Sequence, residues 1–339
     1  MTETTFRIDF HEMRDVLYKL FLKYKFTEKK ALLMANEYTE STLVGVNSHG
    51  INRVPLFIEY VEKGIVKIDA EAEKKETFGS IERWDGNSGP GIINAIKCTN
   101  RAIELAKKHG MGMVALRNTN HWMRGGTYGR QAADSDCISI FFTNTQPNMP
   151  PWGGKNSRIG NNPLIVSIPR KEGHVVLDMS ISQFAFGKIN DYKLRGEKLP
   201  YPGGWDQNDT LSDDPEKILS NERGLPIGYW KGSALSIILD MLATLLSAGD
   251  STYKISLNEY ETGISQIYLC IYPDVFNDKN LQEKLINEII DYTHDVEPMN
   301  PGDKIYYPGE RSAATRNKNI KDGIPVDKSI WKKIMELSA

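Results

Sequence analysis

Cysteine is scarce in this chain, and its spacing excludes two classes at once. The three cysteines, Cys98, Cys137 and Cys270, are odd in number and far apart. They form neither a disulfide framework nor a CxxC metal or redox pair, which points to a reducing cytoplasm. An excess of either charge is also missing: 42 basic and 44 acidic residues leave a formal net charge of -2. No global field would draw the chain onto nucleic acid or an anionic membrane, so a small molecule is the expected partner. The N-terminus "MTETTFRIDFHEM" lacks a basic segment followed by an apolar run, so no secretory signal is expected. The most apolar stretch, residues 233–249, is too short to span a bilayer and carries Asp240; it reads as a buried helix.

Several motifs fail as well. There is no GxxxxGK[ST], which removes a P-loop. "GMGMVA", at Gly110 to Ala115, matches the letters of a dinucleotide fingerprint but follows a helical pattern and enters a strand-like run. A phosphate-binding turn must leave a strand and present a helix N-terminus, so this is no Rossmann loop. "HEMRD", from His11, lacks the second histidine of a zincin helix. His109, His174 and His294 stand apart near element ends, and no metal site is expected.

What is present is an ordinary globular balance, 40% hydrophobic and 25% charged, enough for one large domain or two. Helical spacing runs through residues 10–25, from the N-cap Thr27 to Val44, and from Pro55 to Gly64. From Ile81 the pattern changes: a short strand, a long helix from Pro90 to His109, then β-branched runs at "GMVALRN", "CISIFFTNT", "LIVSIP" and "HVVLDMS". A further strand at "ISQIYLCIYPD" precedes helices over 277–293 and 328–337. Long loops rich in glycine and proline separate the strands and mark functional or inserted segments.

Two loops carry histidine beside arginine: "NSHGINR" holds His49 and Arg53, and "NTNHWMRGG" holds His121 and Arg124. An imidazole exchanges a proton near neutral pH, and a guanidinium grips a carboxylate through paired hydrogen bonds. The combination suits a 2-oxo or 2-hydroxy acid. These residues leave open a carbohydrate-binding protein, motivated by the loop Trp, Tyr and Asn, and a non-redox lyase or isomerase using His49 as base.

"NSHGINR", "LRNTNHWMRGGTYGRQAA", "PPWGGKNSRIGNNPLIV", "LPIGYWKGSALSIILDMLATLLS" and "TGISQIYL" together resemble the malate/L-lactate dehydrogenase family that lacks a Rossmann fold. The likeness runs from the second helix to the C-terminal helix. It implies an α/β fold: a mostly antiparallel, non-Rossmann cofactor-binding sheet with helices, plus a helical domain formed by both chain ends. Residues 1–80 would carry the catalytic histidine loop, 81–276 the sheet, and 277–339 helices packing back on the N-terminal part.

By the same resemblance His49 is the proton donor. The nicotinamide cofactor is expected at His174, Val175, Val176, Leu177, Asp178, Met179 and Ser180, at Trp230 and Lys231, and at Gly309, Glu310 and Arg311, where only the glycine keeps the subfamily's pattern. Ser48 would fix the imidazole and Arg53 hold the substrate carboxylate, with Asn120 and His121 for substrate hydroxyls. NAD is the expected cofactor, used as NADH, with NADPH the alternative, in a homodimer. The family's substrates span malate, lactate, sulfolactate and cyclic imines; a sugar-derived 2-oxo acid is expected here.

Overall fold

The computed structural model describes residues 5–275 and 278–339. The chain opens with strand β1 (Thr5–Ile8) and helices α1 (Phe10–Lys23), α2 (Glu28–Leu43) and α3 (Val54–Glu62). Asp9 and Thr27 cap the first two helices by accepting backbone N–H groups that the first turn leaves unpaired. Strands β2 (Glu73–Phe78) and β3 (Ile81–Asp85) form a hairpin, and α4 (Gly91–His109) leads into β4 (Met111–Thr119). Next come α5 (Gly125–Ala133), β5 (Ile138–Thr143), β6 (Pro147–Met149), β7 (Ile159–Gly160), β8 (Leu164–Ile168) and β9 (Val175–Met179).

Beyond β9 lie α6 (Phe186–Arg195), β10 (Gly204–Trp205), β11 (Leu211–Ser212), α7 (Pro215–Asn221), α8 (Trp230–Ser247), α9 (Thr252–Ile255) and β12 (Ile264–Ile271). The chain finishes with α10 (Lys279–His294), α11 (Glu310–Asp322), β13 (Ile324–Asp327) and α12 (Lys328–Ser338).

Seven strands make the central sheet in the order β2-β3-β4-β12-β5-β8-β9. Every adjacent pair is antiparallel except β3 and β4, which α4 joins in parallel. The sheet is therefore mostly antiparallel, as the family resemblance implies. Strand alternation sorts its side chains onto two faces. Val114, Leu116, Phe141, Tyr268 and Cys270 meet α4 and α5, while Ala115, Phe142 and Ile267 meet Leu239 and Ala243 of α8. "GMGMVA" lies at the α4–β4 turn, and a side chain at Gly112 would collide with Leu105, so that glycine serves helix-to-strand packing.

A separate core gathers α1, α2, α3, α12 and the β1–β13 ribbon, with Met13, Leu17, Phe21, Met34, Tyr38, Phe57, Val326 and Ile334 buried together. It also takes in Ile92 and Ile93 of α4 and Met123, so the two units share a seam.

Three readings of the sequence are revised. The helix read as buried is α8, and Ile238, Met241, Leu242 and Leu245 along it are 50%, 54%, 40% and 70% exposed; only one side meets the sheet. The boundary drawn at 80 falls in the turn of the β2–β3 hairpin, so the sheet unit begins at Glu73. The boundary at 276/277 and the start of the helix placed at 277 lie outside the described residues. The helix itself, α10, leans on the β8–β9 turn, where Arg170 Nε donates to Asn287 Oδ1 at 2.8 Å and Lys171 N–H to Glu283 Oε1 at 2.9 Å. Of the C-terminal elements it is α11, β13 and α12 that return to the N-terminal helices: Arg316 pairs with Glu40 at 3.0 Å, and Asn319 Nδ2 donates to the Leu43 carbonyl.

Candidate active site

The connection from α2 to α3 is two short 3-10 turns, Asn47–His49 and Ile51–Arg53, with Gly50 between them. Thr42 of α2 receives the Ile51 N–H on its hydroxyl at 2.9 Å. A side chain at Gly50 would run into that same Thr42, so the loop folds back onto α2 only because residue 50 is glycine. The fold-back turns His49 toward the seam. There its ring stacks on His121, with centroids 5.5 Å apart and planes 15° apart. Loops more than seventy residues apart in sequence thus supply one paired-imidazole site.

Each imidazole has a defined setting. Ser48 Oγ lies 3.4 Å from His49 Nδ1, and Ser48 is itself held against Gly187 at the start of α6. Met123 N–H donates to His121 Nδ1 at 2.8 Å. His121 Nδ1 is therefore an acceptor, and the neutral ring carries its hydrogen on Nε2. Burial pushes His49 down to about 4; Asp178 opposes this, and the Arg53 and Arg124 cations add to it. His121 is driven well below the usual imidazole range by burial, then by Arg53 and His49. Both rings are neutral near pH 7.

The cations come from the helix ends. Arg53 precedes α3 and borders a hollow with Phe57, Tyr60, Asn120, His121 and Met123. Arg124 precedes α5, 4.0 Å from the Asp178 carboxylate, which also accepts the Gly126 N–H at 2.8 Å. Asp178 thereby ties β9 to the α5 N-terminus, where the exposed amides and dipole favour a negative charge.

Asn120, expected at substrate hydroxyls, has another task. Its amide donates to the Ser88 and Gly89 carbonyls at 2.8 and 3.0 Å, and its Oδ1 accepts from Thr262 at 3.1 Å. With both hydrogens committed, it holds the 120–121 loop in place instead of offering donors to a ligand.

The three segments expected at the cofactor converge on β9, the outer strand of the sheet. At its start, a side chain at Gly309 would press within 3.0 Å of Val176 N and 3.1 Å of the His174 carbonyl, and Val176 N–H donates to the Pro308 carbonyl. Past its end, Ser182 bridges Pro226, which leads to Trp230 and Lys231 at the first turn of α8. Val175, Leu177, Met179 and Ser180 complete this rim, partly open to solvent. An edge strand, a glycine in close approach, an exposed indole and an exposed lysine form a donor set suited to an extended, anionic dinucleotide.

Two expected members are bound otherwise. Glu310 is engaged by His294 Nε2 at 3.1 Å, Lys304 Nζ at 3.0 Å and the Tyr307 N–H at 3.2 Å. His174 is held between Asp134, 2.9 Å from Nε2, and the Arg170 N–H, 3.1 Å from Nδ1.

The sequence reading passed over Glu37, Tyr60 and Glu261. Glu37 Oε2 is sealed from solvent with no hydrogen-bond partner among the described residues, and burial together with the Glu40 charge pushes the group up to about 7. Its signal was a carboxylate between the apolar positions Met34, Ala35 and Tyr38 of α2. Glu261 and Tyr60 carry no such signal.

The fold is shared with solved dehydrogenases. It aligns with malate dehydrogenase from Entamoeba histolytica at a TM-score of 0.93 and 25% identity, covering 98% of this chain and 97% of that one. Sulfolactate dehydrogenase from Methanocaldococcus jannaschii aligns at 0.89 and 28% identity, over 98% and 96% of the two chains. The protein is an oxidoreductase acting on hydroxyl or keto carbons. In sequence it is 42% identical over 332 residues to 2,3-diketo-L-gulonate reductase of Salmonella paratyphi A, spanning 98% of this chain and 100% of that protein. The model of the malate/L-lactate dehydrogenase family matches residues 8–335, and the chain belongs to that family.

Proposed function

We propose that the protein reduces the keto group of a small 2-oxo acid, with 2,3-diketo-L-gulonate the favoured substrate and His49 the proton donor. The observation that carries this reading is the stacked His49–His121 pair beside Arg53 in a chain so similar to a reductase of that acid. A bound reduced nicotinamide would supply the hydride to the carbonyl carbon. NADH is the favoured form and NADPH the alternative, held by residues 175–180, by Trp230 and Lys231, and by Gly309 with its neighbour Arg311, while the His174 and Glu310 side chains stay with their protein partners.

Arg53 receives the substrate carboxylate. That contact matters twice, because Arg53 is also one of the cations that depress His49. An arriving carboxylate offsets this charge and raises the affinity of His49 for the proton it must deliver. Ser48 orients the ring, and His121, with hydrogen on Nε2, donates to an oxygen of the substrate. Asp178 stabilises the imidazolium before transfer.

The active form is a homodimer, for which the exposed apolar side of α8 is the supporting feature. The three free cysteines are all buried, in keeping with a cytoplasmic site of action.

The test is loss of reduced-nicotinamide absorbance with a panel of 2-oxo acids and cyclic imines. Oxidation with 2,3-diketo-L-gulonate above malate-type or lactate-type partners is the expected result; none with any acid or imine would sink the reading. Thermal shifts with NADH and NADPH separately give the cofactor preference, since a ligand of the native state raises apparent stability.

A further inference from the structure

We propose that Glu261 selects the substrate, its carboxylate accepting a hydroxyl hydrogen from the substrate chain and so favouring hydroxylated 2-oxo acids over dicarboxylates. This rests on the reduction reading above and adds a residue that neither the motifs nor the family likeness singles out.

Glu261 stands in the segment entering β12, and three contacts set that segment against the site. Thr262 Oγ1 donates to Asn120 Oδ1 at 3.1 Å, next to His121. Tyr60, on the wall of the Arg53 hollow, lies against the Glu261 main chain. Tyr260 meets the Tyr60 ring edge-on, with centroids 5.4 Å apart. The carboxylate itself is anchored at one oxygen: Gln146 N–H donates to Oε2 at 3.1 Å. Its other oxygen has no hydrogen-bond partner among the described residues.

A carboxylate held at one oxygen and open at the other accepts hydroxyl hydrogens and repels a second carboxylate. Arg53 acts on Glu261 electrostatically, and burial outweighs that attraction and pushes the acid upward. One protein carboxylate thus already acts on Arg53 before a substrate carboxylate arrives. A dicarboxylate would bring a third negative group to a single guanidinium. A hydroxylated chain brings a hydrogen to the open oxygen, and hydrogen bonds to charged acceptors are among the stronger ones.

The experiment compares kcat/KM for 2,3-diketo-L-gulonate, pyruvate and oxaloacetate in the unaltered enzyme, in Glu261→Gln and in Glu261→Ala, with a melting curve for each. Glu261→Ala should lose about 10-fold or more on 2,3-diketo-L-gulonate, chiefly through KM, and stay within about twofold on pyruvate. Glu261→Gln keeps an acceptor for the Gln146 amide but drops the charge, and should raise oxaloacetate relative to 2,3-diketo-L-gulonate by about 10-fold. Equal changes on all three acids, or none, would overturn the proposal while leaving the reduction reading intact. Failure of the unaltered enzyme to reduce any of them would remove both.

Discussion

Glu37 and His49 carry opposite costs that pH separates. Glu37 is raised from 4.5 to about 7, so between those values the native state binds more protons than the unfolded chain, and stability falls as pH rises through the window. Glu37→Gln removes that loss and should add about 1 to 3 kcal/mol at pH 8 with little change at pH 4, read by urea unfolding at both. His49 is lowered from 6.5 to about 4. The unfolded chain then binds more protons in that interval, and stability falls as pH drops through it. His49→Asn should therefore flatten the acid side of the stability profile and leave pH 8 unchanged. The same variant bears on catalysis: His49→Asn should lower turnover by about 100-fold or more with cofactor affinity nearly intact, as expected when a general acid is lost. Equal turnover in variant and parent would remove His49 from its role.

Among the elements, α4 and α5 show how glycine places the site. Gly91 opens α4 beneath the carbonyls of Asn120 and His121, and a side chain there would collide with both. Gly91→Ala should push the 120–121 loop outward and cost activity more than stability, seen as a lower kcat/KM with a melting point shifted by only a few degrees. Gly125 lies against Ile165, where a methyl would sit 2.5 Å from its Cδ1; overpacking of this kind costs about 1 to 3 kcal/mol.

These glycines also explain what stayed hidden. "NTNHWMRGGTYG", residues 118–129, is glycine-rich and reads as a loop, yet its last five residues open α5, because Gly125 and Gly129 let the helix lie close on β8. Strand β2, "EKKETF", is exposed along its whole length and offers no alternation to detect. By contrast, α1 and α4 follow helical periodicity, α2 follows its Thr27 cap and β12 a run of apolar residues, and all four stand where the sequence puts them, within a few residues. The histidine loops were legible as a pair; Glu261 was not, because its approach to Tyr60, and that of its neighbour Thr262 to Asn120, join segments far apart in the chain.

For the whole molecule, the uncovered apolar side of α8 is the feature to test. Leu245, 70% exposed, follows Met241 by one turn, and burying such a stripe is worth roughly 25 cal/mol per Å². If two copies meet there, Leu245→Glu should turn a dimer into a monomer in light scattering, with the helix content unchanged; a persistent dimer would move the interface elsewhere. The pairing of β1 with β13 has a different implication, one of timing. Thr5 finds its partner in Asp327, so on a ribosome adding about 5 to 20 residues per second the first strand waits some tens of seconds for its mate. The layer that carries His49 can close only once β13 has emerged, so a nascent chain, however well its sheet has formed, lacks a finished active site until Asp327 has been added.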